Sequence, residues 1–165
     1  MKKHYTKTKR LAVLSMLVTM SIILQLVEPG LPLPVPGVKL GLANIMGLIT
    51  LFMFSSKEMY VVNIMRVVLA FLLRGNIFQT AFWLSLTGVL LSTTMVVILK
   101  KTTPMSMIGL SVASSVFHGL GQVIAVSYIY QSIFMISYLP IMWVLSIPAG
   151  ILTGVMSVQV LKRIK

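Results

Sequence analysis

Between Ile77 and Leu99 the chain runs for 23 residues without a charged side chain, and the run ends on a lysine pair, Lys100 and Lys101. No other feature constrains the fold as strongly. At about 1.5 Å per residue, a helix of that length crosses the roughly 30 Å hydrocarbon core of a bilayer. Further apolar runs lie at about 11–27, 40–55, 59–74, 105–130 and 138–161. In lipid, every backbone polar group must be satisfied within the protein, which leaves helices and closed barrels. The runs are unbroken rather than alternating, which selects helices. Charged residues make up 10% of the chain and mean hydropathy is +1.01, whereas soluble domains carry about a quarter charged residues. The expectation is an all-α integral membrane protein of the plasma membrane: one domain over 1–165, with six transmembrane helices.

Charge supplies the topology. Lys2, Lys3, Lys7, Lys9 and Arg10 precede the first run, and Lys162, Arg163 and Lys165 follow the last. Lys57, Lys100 and Lys101 sit in short breaks between runs. An even number of spans with both termini cytoplasmic puts these eleven of the fourteen basic residues on one side, as cytoplasmic loops require. The net charge of +12 therefore reads as a match for anionic lipid and not for nucleic acid. The basic start and apolar core of residues 1–27 also suit a signal peptide, but "LQLVEPG" offers no small-x-small cleavage site, and retention is expected.

The stretch "VEPGLPLPVPGVKLGLANI" (27–45) interrupts this pattern. Pro29, Pro32, Pro34 and Pro36 fall within eight residues, and proline lacks an amide donor and fixes φ, so the stretch is an extended connection. Its expected position is the outer face, between the first two spans.

Polar side chains within the runs mark candidate sites, because an ionisable group in a membrane is expensive. Arg66 lies midway along the third run. At about 100° per residue, Asn63, Arg66, Ala70 and Arg74 share one sector of that helix. Neither glutamate, Glu28 or Glu58, is expected in a neighbouring span to neutralise Arg66. It then meets backbone carbonyls, amides, water or an anion. In the fifth run Ser111, Ser114, Ser115, His118, Gln122 and Ala125 share a face. The serines suit helix packing, whereas His118 and Gln122, one turn apart, each present a donor and an acceptor to a ligand. In the first run Ala12, Ser15 and Thr19 form a small-residue stripe, with Ser21 and Gln25 on the opposite side. Ser85, Gly88 and Ser92 share a face in the fourth, with Gln79 and Trp83 near its outer end.

Missing residues exclude several functions. There is no phosphate-binding loop of the G-x-x-x-x-G-K-[ST] type, so the chain has no ATPase of that kind. With two glutamates and no aspartate it cannot assemble the carboxylate clusters that hold Mg²⁺ on a diphosphate, nor a hydrolytic triad. A zinc site needs more than His118, since the one other histidine is His4. A non-enzyme without cofactor or metal is expected.

"LPLPVPGVKLGLANI", "RVVLAFLLRGNIF" (66–78) and "SVASSVFHGLGQ" (111–122) together resemble the heptaprenyl diphosphate synthase component I family, also called the Gx transporter family, over nearly the whole chain. That family is in turn similar to the S-components of energy-coupling factor (ECF) transporters. These are six-helix vitamin-binding subunits that work with a membrane coupling subunit and two ABC-type ATPases. The resemblance implies that the proline-rich connection helps to close a ligand pocket, with Pro32, Pro34 and Pro36 stiffening it as a gate. It also implies that Ala12, Ser15 and Thr19 dock on the coupling subunit, with Met16 where a second alanine would be expected. The expected ligand is a small anionic or amphipathic vitamin, flavin or isoprenoid-type molecule. Its binding residues would be Lys39, Asn44, Asn63, Arg66, Arg74, Asn76, His118 and Gln122. Two rivals remain: a non-catalytic membrane accessory subunit of a polyprenyl diphosphate synthase, and a packing component of a larger redox or quinone assembly.

Overall fold

A computed structural model describes residues 6–28 and 41–164. The described residues form six α-helices and no strand. The helices are α1 (Lys7–Val27), α2 (Asn44–Met53), α3 (Ser56–Leu73), α4 (Thr80–Thr102), α5 (Met107–Tyr130) and α6 (Leu139–Ile164). The expected connection at 131–137 is largely a 3₁₀ turn, Ile133–Tyr138, that runs directly into α6. Four segments are long and apolar enough to cross a membrane: α1, α4, α5 and the stretch Ile133–Ile164 containing α6. They make the protein a multi-pass membrane protein.

α2 departs from the expected full span. Its ten residues rise about 15 Å, half of the hydrocarbon core. Charged side chains stand at both ends of this short helix. At its C-terminus Lys100 Nζ donates to the Leu51 carbonyl at 2.8 Å and lies 4.1 Å from the centre of the Phe52 ring. At its N-terminus the Asn44 and Ile45 amides donate to the Gly41 and Leu42 carbonyls at 2.8 and 3.1 Å, and the Gly41 and Leu42 amides, in the turn before the helix, donate to the Glu28 carboxylate. Opposite charges thus meet opposite ends of the helix dipole.

The remaining helix ends follow local sequence rules. Ser55 caps α3 by accepting from the Lys57 amide at 3.3 Å, and Glu58, three residues on, accepts from the Ser55 hydroxyl, the Ser-x-x-Glu arrangement of a capping box. Glu58 also pairs with Arg10, tying the start of α1 to the start of α3. At the other end Arg74 Nη2 donates to the carbonyls of Gln25 and Leu26, both at 2.9 Å, and so closes the last turn of α1.

α4, α5 and α6 pack backbone to backbone. A Cβ built on Gly121 would lie 2.8 Å from Gly88 Cα, and one on Gly150 would lie 2.6 Å from Val112 Cα. Ser111 and Thr153 hydroxyls bond across the α5/α6 contact at 3.0 Å. Small residues and hydroxyls of this kind drive helix association in lipid, where the hydrophobic effect between helices is absent. Substitution Gly121→Val or Gly150→Val forces rigid backbones apart. Each should destabilise the bundle by about 1–3 kcal/mol, read as a lower melting temperature of the detergent-solubilised protein, whereas Gly75→Ala meets no neighbour and should cost only the strain of its left-handed backbone, about 1 kcal/mol.

Apolar side chains from all six helices, among them Leu17, Leu48, Ile49, Met59, Val96, Leu110 and Leu161, fill the half of the bundle at the basic end. The outward faces of the helices show large apolar side chains such as Met16, Val61, Ile124, Val144 and Leu152, which lipid covers.

Candidate functional site

Beyond that apolar plug, in the half of the bundle away from the basic end, lies a cavity of about 60 Å³. Such a volume holds a few waters or a compact polar group. Every helix contributes to it: Gln25 on α1, Asn44 on α2, Arg66 and Val67 on α3, Ser85 and Val89 on α4, Ser115, His118 and Gln122 on α5, and Met142, Ser146 and Ala149 on α6. Glu28 and Gly41, which flank residues 29–40, complete the wall.

Arg66 is the centre of the site. It is 3% exposed, and its Nη2 donates to the Asn44 side-chain oxygen. Its Nε has no hydrogen-bond partner among the described residues. Because α2 starts at half depth, Asn44 reaches the middle of α3, and the first turn of α2 faces Glu28 and Arg66 together. Glu28, 4% exposed, lines the same cavity as Arg66. As the sequence led one to expect, neither glutamate lies in a neighbouring span, but Glu28 reaches the site all the same. The charge arrives from the end of α1 rather than from within a span. A second unmatched atom faces the same space: Gln25 Oε1 lacks a partner among the described residues. A buried guanidinium N–H without an acceptor and an amide oxygen without a donor are costly in a medium without water.

Of the residues singled out from sequence, the structure brings Asn44, Arg66, His118 and Gln122 to the cavity wall. Gln25, Ser85 and Ser115, from the polar faces noted in the sequence, join them there, whereas Asn63, Arg74 and Asn76 do not. Asn63 is buried and donates to Thr93 Oγ1 at 2.8 Å, joining α3 to α4. Arg74 is committed to the α1 carbonyls. Asn76 is exposed in the turn after α3, where its amide closes on the Phe71 carbonyl at 3.0 Å. Lys39, Pro32, Pro34 and Pro36 lie outside the described residues. The stripe of Ala12, Ser15 and Thr19 is exposed along α1, with the Thr19 hydroxyl bonded to the Ser15 carbonyl at 2.9 Å. Sequence reasoning missed Glu28 and the whole α6 wall. Ser146 gave no signal, since the next polar side chain of that apolar run, Thr153, lies seven residues on.

The arrangement provides donors, acceptors and two opposite charges around a small cavity. Among the described residues, no three His, Asp or Glu side chains gather as metal ligands. Fold and cavity define a multi-pass helical membrane protein with a charged site lined by all six helices. The chain belongs to the heptaprenyl diphosphate synthase component I family, which it matches over residues 17–160. Neither a curated protein nor a solved structure matches it.

Proposed function

We propose that the chain is a non-catalytic, solute-binding membrane subunit that works with separate energising proteins, as an S-component does in an ECF-type transporter. One observation carries the reading: Arg66 lies buried at the wall of a cavity between the helices, with no partner for its Nε among the described residues. A guanidinium in a structural role bonds helix-end carbonyls, as Arg74 does through its Nη2 to those of Gln25 and Leu26, whereas Arg66 donates through its Nη2 to the side-chain oxygen of Asn44. The apolar plug on the basic side fits a subunit that opens to one face and cannot pass solute unaided. The exposed Ala12, Ser15 and Thr19 face of α1 is the surface on which a coupling subunit would dock.

The family description favours a second reading, a membrane accessory subunit of a prenyl diphosphate synthase, with catalysis residing in a partner. Purification of the tagged chain from its native membranes in mild detergent separates the two. A co-purifying membrane coupling subunit with two ATPases supports the transport reading. A soluble prenyltransferase without ATPases rejects it in favour of the accessory role.

A further inference from the structure

We infer that the solute is zwitterionic, presenting an anionic group to Arg66 and a cationic group to Glu28; this rests on the solute-binding reading above. The basic residues Lys39, Arg66 and Arg74 suggest a plain anion, but of the two among the described residues only Arg66 lines the cavity. Arg74 spends its Nη2 on the carbonyls of Gln25 and Leu26. Among the described wall residues, Arg66 and Glu28 are the two permanent charges, and His118 is the third titratable group. The turn that leads into α2 already holds an anion of the protein's own. The Gly41 and Leu42 amides, just before the helix, donate to the Glu28 carboxylate. A phosphate ester or other dianion would face that carboxylate across a narrow, weakly screened space.

The unmatched atoms point the same way from a different direction. Arg66 Nε–H is a donor in need of an acceptor, and Gln25 Oε1 is an acceptor in need of a donor. Gln25 and Glu28 lie three residues apart at the end of α1, where both meet the cavity wall. They form an acceptor pole, and Arg66 forms a donor pole. A solute with an ammonium group at one end and a carboxylate at the other satisfies both and leaves the cavity neutral.

The test is the melting temperature of the full-length protein in mild detergent with small probes that differ in charge alone. β-Alanine and γ-aminobutyrate carry both charges, butyrate the negative one and butylamine the positive one. At about 100 mM and matched ionic strength, one of the zwitterions should raise the melting temperature by roughly 3–5 °C, and the singly charged probes by less than about 1 °C. Glu28→Gln keeps an oxygen for the α2 amides and should transfer the preference to butyrate. A wild-type shift with butyrate equal to that with the zwitterions would overturn the inference and leave the solute site standing. No shift with any probe would also overturn it. The solute-binding reading itself would still stand if a native solute is retained by the wild-type protein and lost on Arg66→Met.

Discussion

Arg66→Met yields a protein that folds, enters the membrane and no longer retains its solute. Methionine fills most of the arginine volume with apolar atoms and removes a buried guanidinium whose Nε has no acceptor. Removing one member of a buried charge pair costs stability when the other is left unpaired, but Glu28 keeps the Gly41 and Leu42 amides once Arg66 is gone. The melting temperature of the solute-free protein should therefore fall by no more than about 5 °C. Solute affinity should fall at least about 100-fold, as expected when a charged hydrogen-bond partner is lost from a desolvated site. Native mass spectrometry, together with the monodispersity of the detergent-solubilised variant, reads both quantities. A structural Arg66 predicts the reverse pattern: a poorly folded variant, with retention unchanged in the molecules that do fold.

Asn44→Leu, one contact away, should behave in the opposite sense. Asn44 accepts from Arg66 Nη2 and begins α2 at half depth. Leucine at this position leaves the guanidinium in place and takes away its side-chain acceptor. Stranding a buried charge costs about 2–4 kcal/mol, far more than removing it. The expected loss is roughly 5–10 °C in melting temperature. The double variant Arg66→Met/Asn44→Leu should recover most of that loss, because the guanidinium that had lost its acceptor is gone as well. If the single Asn44→Leu variant melts with the wild type, the Asn44–Arg66 contact is not what fixes the start of α2.

Much of the fold was legible because lipid simplifies the code. The apolar runs at 77–99, 105–130 and 138–161 predict α4, α5 and α6 to within a few residues. Helical periodicity also gave the buried faces: Asn63, Arg66 and Ala70 on α3, and Ser111 and Ser114 on α5, are all buried. Periodicity describes one helix at a time, however, and says nothing of which helix lies opposite. Arg74 shares a sector with Arg66 by that measure, yet it sits at the last turn of α3, within reach of the α1 carbonyls. The shortness of α2 was hidden because "KLGLANI" reads as apolar, and the turn at Gly41–Ala43 that delays the helix is a backbone event. That delay is what lets Glu28 and Asn44 approach Arg66. The ionic character of the site was therefore beyond the reach of the sequence.

The account stands or falls on whether the cavity around Arg66 holds a solute in the cell. Native mass spectrometry of the wild-type protein, taken from its native membranes and released from mild detergent, measures this directly. The account predicts a discrete small-molecule adduct, at up to one copy per chain, that survives delipidation and is absent from Arg66→Met. Adducts of lipid mass alone, or an identical adduct on wild type and Arg66→Met, would contradict it.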